Sequence, residues 1–292
     1  MLLEKVIRKG YRMRILTLLM VFAVALHPTA ANQKNTAIMG YQWAQDKFQE
    51  LMQEHGAPQP VARKQLQVAP RAGHIKTFWT MNVATNQPTE IQATLQHIGK
   101  HCYIYLELEQ ESRVSKETIQ NLADQFDNQI YDTNHKFFGS EASPGIDFDK
   151  RITLLFLDIQ DGWEPGRGYV AGYFSPLDTY SSELWQFSNE REMFYMDVFP
   201  GDPTRPDYLG ILAHEFQHMI HHNYDKREKL WLNEAMSQIA FYVINYGHAP
   251  QILSFIQQPD TQLDEFNNGL DDYGNVYLFM YCLLYTSDAA DE

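Results

Sequence analysis

Apolar residues recur every three or four positions in the stretch that follows Ser115. The repeating positions are Ile119, Leu122, Phe126 and Ile130. Such spacing places the apolar side chains on one face of a helix. Ser115 is a favourable N-cap residue and Glu117 lies in the first turn, so the pattern predicts a helix over residues 116–136.

A second apolar stripe follows Pro206, a residue that suits the first turn of a helix. The members of this stripe are Leu209, Leu212, Ala213, Phe216 and Ile220. Their spacing predicts a helix with one buried face. A further helix is predicted over residues 232–246, because Gly247 favours a helix end. Residues 277–281 begin another apolar helix near the end of the chain.

Strands are predicted elsewhere, from alternating or continuous apolar runs. Residues 74–108 contain short β-prone runs that predict a small antiparallel sheet. The short runs lie at 77–79, 90–95 and 102–106. Residues 152–158 and 193–199 are apolar enough to form buried strands, and the Gly-rich stretch 162–172 predicts a turn or hairpin. Strands and helices mixed in this order predict an α+β fold.

The first residues have the three parts of a secretory signal peptide. Basic residues precede an apolar run from Ile15 to Leu26, and small residues follow up to Ala31. The apolar run has about 12 residues, whereas a membrane-spanning helix needs about 20. We therefore expect cleavage after Ala31, no membrane anchor in the mature protein, and a secreted or periplasmic, cell-envelope location. Met13 is an alternative start.

The last residues, Cys282–Glu292, resemble the translation of a transposon-end adapter used in sequencing libraries. We expect them to be an artefact and the natural chain to continue beyond Tyr281, so that the C-terminal helical part is truncated. Without this end, Cys102 is the only cysteine, which excludes an intrachain disulfide in the sequence.

Composition and charge narrow the class of protein. Hydrophobic residues make up 44% of the chain, which is enough to bury a sizeable core. The net charge is −14 at neutral pH. A strongly acidic surface repels nucleic acid and anionic membranes. Neither is therefore expected as a partner.

The apolar stripe after Pro206 includes two histidines four positions apart, in His214-Glu215-Phe216-Gln217-His218. Side chains at i and i+4 lie on one helix face about 6 Å apart, so both histidines can bind one metal ion. Two imidazoles and one carboxylate with an open fourth position suit a catalytic zinc ion. Glu215 can then act as general base toward water. A chance match on an amphipathic helix is the competing interpretation.

The third metal ligand has three candidates. His222 lies about 12 Å from His214 along the helix axis, too far for one ion, and we expect a solvated helix-end histidine there. A metzincin pattern needs Gly at 221 and His at 224, but the chain has His221 and Tyr224. Glu234 remains, at the start of the next helix, and we expect it to be the ligand rather than part of a solvated helix face.

Residues 212–220 and 231–235 resemble the hyicolysin-like bacterial zinc metallopeptidases of the gluzincin group. The resemblance covers about residues 75–281 and is specific in the metal region and loose elsewhere. The roles it implies are zinc ligands at His214, His218 and Glu234, with Glu215 as general base and proton shuttle. It also implies a peptidase domain that extends past residue 281.

These signals together predict the domain organisation. The expected segments are a signal peptide at 1–31, a Gln-rich linker or propeptide at 32–73, a small β region at 74–112, an incomplete zinc metallopeptidase domain at 113–281 and the adapter-derived end at 282–292. The Gln-rich segment is expected to form a helix or linker rather than part of a core. The expected fold is α+β, a zincin-like domain with a mixed sheet over the active-site helix.

The expected function is that of a secreted zinc-dependent endopeptidase. It hydrolyses a peptide or protein substrate with one catalytic Zn²⁺ ion and water activated by Glu215. No Gly-x-Met-Glu-Asn-like amine-binding segment is present, which disfavours an aminopeptidase. The alternatives are a zinc-binding but inactive secreted protein that holds a peptide or wall component, and a structural domain with an accidental motif.

Three further features of the sequence each allow two interpretations. Tyr273 is a candidate donor to the transition state, whereas Tyr242 is expected in the core. The 193–199 strand is either a cleft edge that pairs with substrate or an ordinary core strand. Segments 158–164 and 267–275 are rich in Asp and Asn but lack the spacing of a helix–loop–helix calcium site, so we expect solvated turns.

Overall fold

A computed structural model describes residues 36–56 and 70–290, with side chains described for 44–56 and 70–286. These residues belong to one compact unit. The expected signal peptide lies outside the described residues. Among the helices that are described, none combines the length and the apolar character needed to cross a membrane.

The helices and strands follow each other in a mixed order along the chain. The helices are α1 (Thr36–His55), α2 (Lys116–Gln125), α3 (Tyr131–Phe138), α4 (Asp207–Tyr224), α5 (Leu230–Val243), α6 (Ile252–Gln257) and α7 (Leu270–Ala290). The strands are β1 (Ile75–Asn82), β2 (Gln87–Ile98), β3 (Cys102–Glu107), β4 (Ile152–Leu157), β5 (Gly172–Phe174) and β6 (Met193–Asp197). This arrangement confirms the α+β prediction.

The six strands form one sheet in the order β1-β2-β3-β4-β6-β5. β1, β2 and β3 pair antiparallel, as their sequence pattern predicts. β4 joins β3 and β6 in parallel, and β5 pairs antiparallel with β6 at the edge. The boundary expected between residues 112 and 113 therefore falls in the connection between two strands of one sheet.

The central strands are buried on both faces. In β3, Cys102, Ile104 and Leu106 pack in the core that also contains residues of α2 and α4. Tyr103 and Tyr105 alternate with them and pack in a second core on the opposite face. Strands covered on both faces carry continuous apolar runs. This explains why the runs in β3 and β4 lack polar alternation.

The helix predicted over residues 116–136 is present as α2 and α3, joined by a π-helical turn at Phe126–Ile130. Ser115 caps it as expected, because its Oγ accepts a hydrogen bond from the Thr118 N–H at 3.1 Å. The prediction for the last helix is wrong in its start, since α7 begins at Leu270 rather than near 277. It continues through Cys282 to Ala290, and the origin of that end stays a prediction.

Helix α1 lies within the Gln-rich segment and contributes to a small core. Phe48 is fully buried, and it packs with Leu177 and Tyr180. The Tyr180 hydroxyl also donates to the carbonyl of Gly56 at 2.9 Å. The expectation that this segment lies outside any core is therefore wrong for α1. Its apolar residues recur at helical spacing and form a buried stripe between the glutamines.

Candidate metal centre

The expected site residues lie where α4 packs against α5. His214, Glu215 and His218 come from the middle of α4, and Glu234 comes from the beginning of α5. All four side chains are buried. The two helices approach closely at Gly210, where a Cβ atom would lie 2.2 Å from the ring of Phe241. A residue without a side chain at this crossing brings the two helix faces together.

The ligand atoms of three side chains converge on one point. Nε2 of His214 lies 3.0 Å from Nε2 of His218. Oε2 of Glu234 lies 3.3 Å from the first of these atoms and 3.6 Å from the second. Tetrahedral ligands bound at about 2.0–2.1 Å are separated by about 3.3–3.4 Å, so the three atoms fit one zinc ion. Their role as ligands stays a prediction.

Polar side chains of α5 contact Nδ1 of His218, the ring nitrogen that does not face the other two ligands. Its Nδ1 contacts Oδ1 of Asn233, and it lies 2.9 Å from Oγ of Ser237. The Ser237 hydroxyl in turn donates to Oε1 of Gln217 at 2.5 Å. A proton on Nδ1 satisfies these acceptors and leaves Nε2 free to bind metal. Such contacts fix the tautomer and the orientation of a metal-binding histidine.

The charges of the three groups are coupled. Burial alone would raise the pKa of Glu234, but His218 and His214 outweigh that effect and lower it. Burial alone would lower the pKa of His218, but Glu234 and Glu215 raise it. For His214 burial dominates and lowers the pKa. The cluster therefore combines an anionic carboxylate with a neutral imidazole at His214, and a metal ion bound here would displace the second proton of His218.

Glu215 faces the edge strand β5. Burial raises the pKa of Glu215 to about 8, while His218 and a hydrogen bond from the backbone of Phe174 act in the opposite direction. At Gly172, a Cβ atom would lie 3.0 Å from Cγ of Glu215 and 2.9 Å from the carbonyl oxygen of Tyr195. Glycine at this position lets the strand lie directly across the carboxyl group. The role of Glu215 as general base stays a prediction.

A cavity of about 170 Å³ lies beside the cluster of His214, His218 and Glu234. Its lining consists of residues 169–173, side chains of α4 and α5, and Gln251, Leu270 and Tyr273. Tyr273 thus lines the cavity, and its role as a donor stays a prediction. Tyr242 instead packs against Tyr281 at a ring distance of 5.0 Å.

The strand at the cavity edge is β5. The sequence pattern had suggested the strand at residues 193–199, which is β6. β6 lies between β4 and β5 in the sheet, so the interpretation as a core strand holds and the cleft-edge interpretation is wrong. The sequence pattern predicted a turn or hairpin at residues 162–172 and missed the short strand that begins at Gly172. Its signal, Gly172-Tyr173-Phe174, is too short to distinguish from a turn by periodicity.

The expectation that His222 is solvated is wrong. Its side chain is buried beneath the ring of Phe48 from α1, at a centroid distance of 4.7 Å, and beside Phe174 at 5.5 Å. Burial lowers the pKa of His222 to about 3, so the imidazole is neutral at physiological pH. The physical reason is the cover provided by α1, which is distant in sequence.

The two Asp- and Asn-rich segments use carboxylates to cap turns. Asp161 accepts from the N–H groups of Trp163 and Val170, and Asp272 accepts from those of Asn267 and Gly269. Asp161 and Asp272 are both buried, so the expectation of solvated turns is wrong for them. Among the residues that the structure describes, the cluster of His214, His218 and Glu234 alone has the geometry of a metal site.

A comparison with known proteins found a distant relative. The chain is 27% identical to the neutral metalloprotease ShpI of Staphylococcus hyicus over 250 residues, which cover 75% of this chain and 53% of that protein. The chain thus spans about half the length of this relative. No family model matches the chain. The similarity supports a distant relationship to metallopeptidases.

Proposed function

We propose that this chain carries the catalytic centre of a zinc-dependent endopeptidase of the gluzincin type. The observation that supports the proposal best is the approach of Glu234 to the two histidines of α4, with ligand-atom separations of 3.0, 3.3 and 3.6 Å. The distant similarity to a neutral metalloprotease agrees with it. The same proposal includes a zincin-like fold for the domain and membership of the chain in the hyicolysin-like family.

The protein's contribution to the chemistry begins with the three ligands. His214, His218 and Glu234 would hold the ion from one side and leave the cavity side open. Zinc bound there supplies a Lewis acid toward a peptide carbonyl and toward water. Asn233 and Ser237 hold the ring of His218 so that its Nε2 faces Nε2 of His214 and Oε2 of Glu234, where the ion would bind.

Glu215 is the proposed general base. Its carboxyl group takes a proton from the attacking water and delivers it to the departing amine. Burial beneath β5 keeps this carboxyl group away from bulk water. The outer edge of β5, the last strand of the sheet, would pair with an extended peptide and hold the scissile bond beside Glu215. Tyr273 in the cavity wall is the proposed donor to the developing oxyanion.

Export is a further part of the proposal. It is supported by the charged, apolar and small-residue segments of residues 1–31, which lie outside the described structure. The substrate is a peptide or protein met outside the cytoplasm, in the cell envelope or the medium. An acidic chain with a net charge of −14 is suited to neither nucleic acid nor an anionic membrane.

The deciding experiment is the substitution Glu215→Gln in the zinc-loaded protein. We expect zinc content to stay at one ion per chain while cleavage of a denatured protein substrate falls by about 10²–10⁴-fold. Glu117→Gln, on the exposed side of α2, is the matched control and should leave cleavage unchanged. A wild-type protein that binds zinc and cleaves no peptide would favour the inactive binding protein instead.

A further inference from the structure

The ring of His214 lies against the face of α5 that carries Glu234. Its Nε2 is 3.3 Å from Oε2 of Glu234, and its ring centroid is 6.2 Å from that of Phe241. Gln238 lies four positions after Glu234 and three before Phe241, which places it on the same face of α5 between them. His214 and Gln238 are therefore neighbours where α4 packs against α5.

Two buried atoms at this contact have complementary hydrogen-bonding character. Nδ1 of His214 makes no hydrogen bond to any residue that the structure describes, and the same is true of Oε1 of Gln238. Both atoms are closed to solvent. Buried polar atoms of native proteins are nearly always paired, so two exceptions on facing helices require an explanation. An imidazole N–H donates and a carboxamide oxygen accepts, so each atom supplies what the other lacks.

One other acceptor lies near His214. Burial lowers the pKa of His214, and the backbone carbonyl of Ser237 acts in the opposite direction, although it makes no hydrogen bond with Nδ1. This carbonyl lies inside α5, where the N–H of Phe241, four positions later, bonds to it. Oε1 of Gln238 has no such bond. The carboxamide is therefore the acceptor whose pairing would satisfy both atoms.

The second histidine of the cluster shows what such a contact does. Nδ1 of His218 contacts Asn233 and Ser237, two polar side chains of α5. A hydrogen bond at one ring nitrogen decides which nitrogen is left to bind metal. His214 needs the same tautomer as His218, because its Nε2 is the atom that faces Nε2 of His218 and Oε2 of Glu234.

We propose that Gln238 is the positioning residue of His214, whose Nδ1–H donates to its Oε1 and whose Nε2 is thereby directed toward the metal. The inference rests on the proposed function, because it concerns a ligand of the same zinc site. The cluster already buries the carboxyl groups of Glu215 and Glu234. A neutral carboxamide orients the ring without a third buried negative charge, which would be costly.

The test compares Gln238→Met with Gln238→Glu. Methionine has about the size of glutamine but lacks the acceptor, whereas glutamate keeps an acceptor oxygen at the same position. We expect zinc affinity, measured by competition with a chelator, to fall by about 10–100-fold in Gln238→Met and to be at least that of the wild type in Gln238→Glu. Gln257→Met, at an exposed position of α6, is the matched control and should keep the wild-type affinity.

Thermal unfolding with and without zinc separates positioning from packing. Metal-free Gln238→Met should unfold at about the wild-type temperature, while its gain in stability from added zinc should be smaller. Wild-type zinc affinity in Gln238→Met would assign Nδ1 of His214 to the carbonyl of Ser237 and overturn the inference. A metal-free Gln238→Met that unfolds well below the wild type, or an equal loss of affinity in Gln238→Glu, would assign Gln238 to packing and overturn it as well.

Zinc affinity also separates this inference from the proposed function, because its measurement requires no cleavage. The expected loss in Gln238→Met, found in a protein that binds zinc but cleaves no peptide, would support the role of Gln238 and contradict only the peptidase. Cleavage by the wild type together with equal zinc affinity in Gln238→Met would contradict only the role of Gln238.

Discussion

Nε2 of His214 and Oε2 of Glu234 lie 3.3 Å apart, although they belong to different helices. Glu234 is 3% exposed, so its carboxylate depends on the imidazoles of α4 for a partner. A buried carboxylate without a partner is strongly unfavourable. The contact therefore makes the packing of α5 on α4 part of the metal centre itself.

Glu234→Gln should remove high-affinity zinc binding. The substitution keeps the size of the side chain but removes the negative charge that compensates the ion. We expect the wild type, stripped of metal, to gain thermal stability when zinc is added, because a ligand bound to the native state stabilises it. The variant should lose most of this shift, as measured by thermal unfolding with and without zinc.

The control is Glu183→Gln, a substitution at an exposed position. It should show the full zinc-dependent shift. A full shift in Glu234→Gln would instead show that the third ligand is another residue.

Ser237→Ala should weaken zinc binding by about 10–100-fold, because loss of a group that orients a histidine ligand has effects of this size. The alanine removes a partner of His218 Nδ1 and leaves Oε1 of Gln217 without its donor. Zinc affinity is measured by competition with a chelator. Ser254→Ala on α6 is the control, and an equal affinity in both variants would assign Ser237 a role in packing alone.

Gly172→Ala should reduce cleavage while the protein keeps its zinc. The added methyl group would lie 3.2 Å from Oε1 of Glu215 and 2.9 Å from the carbonyl oxygen of Tyr195, so either the strand or the carboxyl group must move. We expect kcat to fall by about 10²-fold, because small displacements of catalytic groups have effects of this size. Wild-type kcat together with an unchanged zinc content would show that β5 does not position Glu215.

His222 should make the fold sensitive to acid. Its pKa is about 3 in the native state against 6.5 for the unperturbed side chain, so the unfolded state binds more protons between these values. The free energy of unfolding therefore falls as the pH falls below about 6.5. The residue should account for a loss of about 2 kcal/mol between about pH 8 and pH 5.

The check is a comparison of denaturant unfolding at these two pH values. His222→Leu cannot take up a proton, and its loss on acidification should be smaller than that of the wild type by about the stated amount. His74→Leu, at an exposed histidine, should behave as the wild type does. Equal losses in His222→Leu and in the wild type would mean that His222 is solvated in solution.

Local patterns were enough to predict most of the elements. The stripe after Ser115 specifies α2 and α3, because helical periodicity is a property of neighbouring residues. The spacing of His214 and His218 places both on one face of any helix that contains them. These features depend on short-range geometry, which the sequence contains in full.

Tertiary structure alone decided what lies opposite each of these faces. It brought Glu234 to the histidines, laid β5 across Glu215, and covered His222 with Phe48. It also placed Gln238 and Gln251 around one cavity. The sequence determined which side chains can bind metal or move a proton. Their burial, charge and partners arise from contacts between segments far apart along the chain, which local periodicity does not encode.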